Sequence, residues 1–245
     1  MLWLLLSCVH APAAPSETQA TPPSSAIERQ GLSSELIIEG ALLDRLSPED
    51  GAELVLLYGG EERGEMDHCG CPHRPRGGLS RQQSYLGALQ QREQPVLFVN
   101  GGYWLEDSMG LDGKPRADIP VSNRWMVAAM EQLGPHALNV GYNDTAGLTS
   151  LGGLTTELPL VSANIRGGQV QPWVLHEIDG LRVGITGISV QGLSFLETPG
   201  FEIGDPVREG RAVLESMQDE TDIVVLLAFG EPKAARKLAQ TGLVD

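Results

Sequence analysis

The chain has 245 residues, 41% of them hydrophobic, enough for a packed core in one large domain or two small ones. Thirty-two acidic against 17 basic residues give a formal charge of −15, which argues against a nucleic-acid backbone as partner, since phosphate binding needs Lys and Arg gathered on one face. Aromatics make up only 5%, which argues against a base-stacking platform as well.

Residues 1–14, MLWLLLSCVHAPAA, read as an export signal, because the apolar run is too short to span a membrane. Leu5-Leu6-Ser7-Cys8 resembles a bacterial lipobox, in which cleavage leaves the cysteine as a lipidated first residue; the other reading is an ordinary signal cleaved after Ala13 or Ala14. Both place the mature protein in an oxidising compartment, the periplasm or outer envelope of a bacterium, with the membrane reached only through a lipid anchor at Cys8. Residues 15–34 are rich in Pro, Ser, Thr and Ala and read as a flexible tether, and residues 35–245 as the folded domain.

Within that domain, Glu35 to Leu43 is apolar enough for a short strand or docking segment, and the first firm strand is Leu54 to Tyr58. The spacing of Leu79, Tyr85, Leu86 and Leu89 predicts a helix over 78–91, and Pro95 to Asn100 predicts a second strand. Ser122 is positioned to cap a helix ending at Leu133, with Trp125, Met126, Ala129, Met130 and Leu133 on its buried face and Gly134-Pro135 as its stop. Ala137 to Val140 reads as a third strand ending in a glycine turn at 141–144, and Leu158 to Ile165 as a fourth. Val174 to Ile178 and Leu181 to Ser189 flank Asp179-Gly180, a hairpin signal, so an antiparallel pair is expected to join the sheet. A helix over Pro206 to Met217, a buried strand over Asp222 to Ala228 and a helix over Pro232 to Ala239 follow. This rhythm predicts a parallel sheet covered by helices.

The unusual chemistry is concentrated between the first strand and its helix, in Asp67-His68-Cys69-Gly70-Cys71-Pro72-His73. In open α/β sheets ligands bind outside the carboxyl ends of strands, where this loop falls. His68, Cys69, Cys71 and His73 offer two thiols and two imidazoles, groups that bind soft or borderline metals, with Gly70 permitting the bend. Cys69 and Cys71 also suit redox cycling, because a tight ring between close cysteines is strained and nearby His68, His73, Arg74 and Arg76 favour thiolate. The third reading is a static disulfide that pins the loop. Ser80 and Arg81, at a glycine-rich helix start, either hold an anion or cap the helix. Trp104, Glu106 and Asp107 follow the second glycine turn, towards the same mouth. His136 and His176 read as ordinary turn and strand histidines.

With these elements in this order the chain resembles the amino-terminal domain of the secreted metallophosphoesterases that include bacterial 5'-nucleotidases. The likeness runs from about Leu54 to Asp245. It rests on the first strand, on Gly77-Gly78-Leu79-x-Arg81, and on LPLVSANI, LRVGITGIS and DIVVLLAFG. The chain is most similar to a clade with Cys-Gly-Cys in the first loop, some of whose members carry selenocysteine. The resemblance implies an α/β fold, a metallo-dependent phosphatase-like sandwich of mixed sheets covered by helices, here incomplete at its carboxyl end. It also implies two metal ions held by Asp, Asn and His, which generate a hydroxide nucleophile and neutralise phosphate. Taken one at a time, those ligands are largely replaced. The family's Asp-x-His falls on Glu61 and Arg63, its Gly-Asp on Gly102 and Tyr103, its Gly-Asn-His-Glu on Gly141, Tyr142, Asn143 and Asp144, and its Ser-His on Ala228 and Phe229. Its final Gly-His-x-His has no counterpart before Asp245.

Three readings follow. In the first, the phosphatase centre has decayed and the Cys69/Cys71 loop is the working group, binding a divalent or soft metal ion or exchanging electrons. In the second, residual phosphoester or nucleotide hydrolysis persists through Glu61, Asn143 and Asp144 with a single metal ion. In the third, the chain is a non-enzymatic scaffold or binding module of the cell envelope; in all three, a chain that ends at Asp245 is expected to leave an exposed apolar sheet edge, an aggregation hazard or a docking site for a protein partner.

Overall fold

The computed structural model describes residues 54–68, 77–91, 94–108, 116–153, 155–190 and 198–245. The export signal with Cys8, the tether, the segment Glu35 to Leu43, and Cys69, Cys71 and His73 lie outside the described residues.

Strand β1 (Val55–Gly59), helix α1 (Leu79–Gln90), strand β2 (Val96–Asn100), helix α2 (Ile119–Leu133), strand β3 (Ala137–Asn139), helix α3 (Tyr142–Ser150) and strand β4 (Leu160–Val161) form the first half. The four strands pair in parallel in the order β1-β2-β3-β4. Their near-continuous apolar runs suit a sheet buried on both faces. One face, with Phe98, Leu138 and Leu160, packs against Leu86 of α1 and Met126 and Met130 of α2. The other face, with Leu97, Val99, Ala137 and Val161, meets a second sheet.

That second sheet contains β6 (Trp173–Ile178), β7 (Leu181–Ser189) and β9 (Ile223–Phe229) in the order β6-β7-β9. The β6–β7 hairpin turns at Asp179 and Gly180 with φ of 50° and 82°, and two positive φ values in a row are what a tight twisted hairpin needs. β9 runs parallel to β7, and helices α4 (Pro206–Met217) and α5 (Pro232–Ala239) cover the outer face through Leu214, Met217 and Leu238. A short ribbon of β5 (Ile165–Arg166) and β8 (Glu202–Ile203) completes the described elements. The layers are helix, sheet, sheet, helix, the expected α/β sandwich of mixed sheets.

Several details differ from expectation. The hairpin does not join the first sheet but forms the second with β9. LPLVSANI is two short strands, because Ile165 N donates to Ser162 Oγ and Asn164 turns its amide to the Ser189 carbonyl. α2 starts at Ile119 with Pro120 in its first turn, so Ser122 lies inside it; Trp125 is 65% exposed, and the buried stripe is Ile119, Asn123, Met126, Val127, Met130 and Leu133. The stretch from Gly141 is the start of α3, not a free turn. Gly78 is the residue before α1, so Ser80 sits within that helix and does not cap it.

Candidate functional site at the carboxyl ends of the strands

The loops after β1, β2 and β3 and the ends of β7 and β9 meet in one mouth. Its floor is a belt of buried amides. Asn100, at the end of β2, accepts from Gly102 N through Oδ1 and donates through Nδ2 to both carboxylate oxygens of Glu62, at 3.0 and 2.9 Å. Gln82 of α1 adds a third bond to Glu62, at 3.1 Å. Asn139, at the end of β3, donates to the carbonyls of Gly101 and Ile188 and so joins the two sheets. Asn164 accepts from Ser189 N and donates to the carbonyls of Ser189 and Gly204. The fit is close enough that a methyl group on Gly187 would sit 2.0 Å from Asn139 Oδ1.

Asp144 locks two of the loops together. It is fully buried at the first turn of α3, and its carboxylate accepts from Gly141 N at 2.8 Å, Tyr103 N at 2.7 Å and Leu105 N at 2.9 Å. Burial pushes its carboxyl up to about 7, against the pull of those N–H groups. Neighbouring Asn143 donates to Asp107, which also accepts the Tyr103 hydroxyl at 2.9 Å. Burial and that bond push the Tyr103 phenol up to about 12, so it stays a donor.

The loop after β1 is held differently. Gly101 N donates to Gly59 O, Glu61 N to Gly102 O, Arg63 N to Tyr103 O and Gly64 N to Trp104 O, a backbone zipper at 2.8 to 3.0 Å. Glu61, Arg63 and Tyr103 all take positive φ, near 60°, 53° and 60°, a region that L residues rarely occupy without being forced. Four side chains then converge. The Arg63 guanidinium lies 4.9 Å over the Tyr103 ring, Tyr103 meets Phe229 edge-on at 5.6 Å, and Tyr142 meets Phe229 at 5.8 Å. Arg63 also pairs with Glu61 at 3.0 Å, both side chains being largely exposed.

A cleft of about 570 Å³ opens beside this cluster, lined by Arg63, Met66, Asp67, Tyr103, Asp107 and Arg116 among others. Glu106 and Asp107 line it as expected, while Trp104 is fully buried beneath. The cysteine loop leaves and returns at this rim: Leu79 N donates to Met66 O at 2.9 Å, and a methyl on Gly78 would meet His68 N at 2.9 Å. His68 therefore stands at the base of the loop.

The structure thus brings together Arg63, Tyr103, Tyr142 and Phe229, the residues that the sequence resemblance sets against family ligands, and places Asn143 and Asp144 behind them. Glu61 points outward. Glu62, Asn100 and Asn139, which organise the mouth, were not singled out from the sequence; their signal is a polar residue at or just beyond the end of an apolar strand. His136 and His176 meet at the far end of β3, with ring centroids 5.2 Å apart.

A dinuclear metal centre does not fit these residues. The Glu62 oxygens are taken by side-chain amides, the Asp144 oxygens by backbone N–H groups, and among the described residues the unpaired buried oxygens left at the mouth are the amide oxygens of Gln82, Asn139 and Asn143. Each divalent ion needs about four to six donors. Among the described residues no three His, Cys, Asp or Glu side chains converge to hold a metal.

No family model matches the chain, and no curated protein matches it in sequence. Solved structures match in fold. The NAD nucleotidase NadN of Haemophilus influenzae superposes with a TM-score of 0.61 at 16% identity, covering 77% of this chain and 36% of its own. A 5'-nucleotidase precursor from Thermus thermophilus gives 0.60 at 18% identity, covering 76% and 39%. The sulfate thiohydrolase SoxB of the same organism gives 0.56 at 16%, covering 77% and 46%. The chain spans less than half the length of each, and at these identities what it shares with them is the fold.

Proposed function

We propose that this chain is a non-hydrolytic protein on the 5'-nucleotidase fold, whose dinuclear centre has been replaced and whose working group is the loop of Cys69 and Cys71. The observation that carries this reading is the cluster of Arg63, Tyr103, Tyr142 and Phe229, which puts a cation and three aromatic rings on positions aligned with metal ligands. Among the described residues, the carboxylates of Glu62 and Asp144 behind this mouth are taken by amide and backbone N–H groups, which leaves neither of them to activate water for a phosphoester. The thiols of Cys69 and Cys71, which follow His68 in the sequence, are the reactive groups that this reading puts to work. With His68 and His73 they suit a thiolate-bound soft metal ion, or a dithiol that exchanges electrons with its disulfide. Export fits both, with Cys8 as lipid anchor and residues 15–34 as tether.

The test is elemental analysis of chain purified anaerobically, beside its Cys69→Ser/Cys71→Ser variant, with aryl-phosphate and nucleotide hydrolysis assayed on both. Metal that disappears with the thiols, with no hydrolysis in either, is the expected result. Absence of metal together with titratable thiols that oxidise reversibly selects the redox form. Metal-dependent hydrolysis unchanged in the variant overturns the proposal and restores Glu61, Asn143 and Asp144 as candidates.

A further inference from the structure

A cavity lies away from the mouth, on the helix-covered face of the first sheet. Its floor is Val127 of α2, Leu148 and Leu151 at the end of α3, and Leu160 of β4, with Phe201 in the wall. Val127, Leu151 and Leu160 are core residues, at most 5% exposed. They nevertheless leave a space of about 340 Å³ above them. Asp144, which latches the mouth, sits in the first turn of α3, and the cavity adjoins its last.

A strap of side-chain bonds forms part of the rim. Thr156 N donates to Gln169 Oε1 at 2.9 Å, and Gln169 Nε2 donates back to the Thr156 carbonyl at 3.2 Å. The Thr156 hydroxyl donates to Glu131 of α2 at 2.6 Å and so ties the strap to the helix. While these three bonds hold, the loop that carries Thr155 and Thr156 cannot collapse into the space. Gly168, also on the rim, has a φ of 56°, and a methyl group there would sit only 3.3 Å from Phe201 Cζ, so glycine gives that ring its place.

The lining decides what fits. Among the described residues none that lines the cavity is charged, in a chain of which 20% is. An ion placed there would lose its water with no counter-charge to replace it. A dry apolar cavity of about 150 Å³ holds one benzene ring, so this volume takes roughly two. Thr149 gives its hydroxyl proton to Thr145 O at 2.7 Å and is left able to accept one from a ligand. We propose that the cavity is a binding site for an uncharged, largely apolar molecule of about two-ring size that donates one hydrogen bond. It shares no lining residue with the cleft at the mouth.

The probes are 2-naphthol, which is uncharged near neutral pH, and 2-naphthylmethylammonium, a cation of similar size, titrated calorimetrically into the full chain. The formal charge of −15 attracts the cation everywhere except in an uncharged cavity. 2-Naphthol is expected to saturate one site with a Kd below about 1 mM, and the cation to bind at least tenfold more weakly. Thr155→Trp, at an exposed rim position, should block the cavity and weaken 2-naphthol at least tenfold with the circular dichroism unchanged. Methyl resonances locate the site without any substitution: those of Val127, Leu148, Leu151 and Leu160 should shift with 2-naphthol, and those of the exposed Leu56 and Val121 should not. No saturation by 2-naphthol, equal or tighter binding of the cation, unchanged affinity in a folded Thr155→Trp variant, or shifts at Leu56 and Val121 in place of the floor overturns the proposal.

Discussion

The loop after β1 and the loop after β2 end at the same mouth but are held there by different means. The second is fastened by one buried carboxylate, Asp144, which takes three backbone N–H groups at once. The first is fastened mainly by a backbone zipper onto the second, at the cost of positive φ at Glu61 and Arg63, with the Glu62 carboxylate held by Asn100 and Gln82 beneath it. A side-chain latch can be removed by one substitution, whereas a backbone zipper cannot. The loop after β2 should therefore be fragile to mutation of Asp144 and to pH, and the loop that leads to the cysteines tolerant of changes in its own exposed side chains, as long as Gly102, Tyr103 and Trp104 keep their place.

The largest effect is expected from Asp144→Ala, which strands three donors in a site from which water is excluded. Each unsatisfied buried donor costs about 1–3 kcal/mol, so a loss of roughly 3–5 kcal/mol in urea unfolding is expected. The pH dependence has a definite sign. Because burial raises the carboxyl from its ordinary 3.8 to about 7, the folded chain holds this proton more tightly than the unfolded one. Its contribution is full below about pH 4 and declines as pH rises towards 7, and that slope should vanish in the alanine variant. A loss below 1 kcal/mol would mean that the latch is not what fastens the loop.

Gly187→Ala attacks the belt beneath both loops. The added methyl collides with Asn139 Oδ1, and Asn139 cannot retreat without releasing the carbonyls of Gly101 and Ile188. Overpacking of this kind costs about 1–3 kcal/mol. Thermal unfolding measures it, and an unchanged midpoint would show that Asn139 is free to move.

Much of the sandwich was legible because apolar runs and glycine stops report burial and turns directly. Leu54 to Tyr58, Pro95 to Asn100 and the Asp179-Gly180 hairpin came through in this way. What was not legible depends on partners remote in sequence. Nothing in YNDTAGLTS marks it as a helix until Asp144 is seen to hold Tyr103 N and Leu105 N, and Trp125 looks like a core residue until the packing shows the stripe passing beside it. At the mouth, the individual residues were readable one by one. That Arg63, Tyr103, Tyr142 and Phe229 meet was not, because it rests on three loops and the end of β9 coming together. Glu62 was overlooked for its neighbour Glu61, since two adjacent acids cannot be told apart until the positive φ at Glu61 turns one outward and the other in.

At the far end of β3 a smaller pH effect provides a control. His136 Nδ1 accepts from Phe98 N at 3.1 Å, and burial, with His176 beside it, lowers its pKa from the ordinary 6.5. A lowered value means that the unfolded chain binds the proton more readily, so stability is full above about pH 6.5 and falls as pH drops below it. This slope is opposite in sign to that of Asp144. His136→Phe should remove the one and leave the other, and loss of both together would show that the two ends of β3 are coupled.

The smallest effect is expected in the loop after β1. The Arg63–Glu61 pair is exposed, and such pairs contribute at most about 1 kcal/mol. Arg63→Gly deletes that pair and the contact over Tyr103, but it also relieves a backbone conformation that costs a non-glycine residue about 1–2 kcal/mol. The two changes oppose, so the unfolding midpoint should move little, and the zipper from Gly59 to Trp104 should keep its amides protected from exchange. A loss above about 2 kcal/mol, or rapid exchange at Arg63 and Gly64 in Glu61→Ala, would mean that side chains and not backbone hold the loop after β1. The contrast between the two loops would then collapse, and the strain at Glu61, Arg63 and Tyr103 would have to be maintained by the cation–aromatic cluster itself.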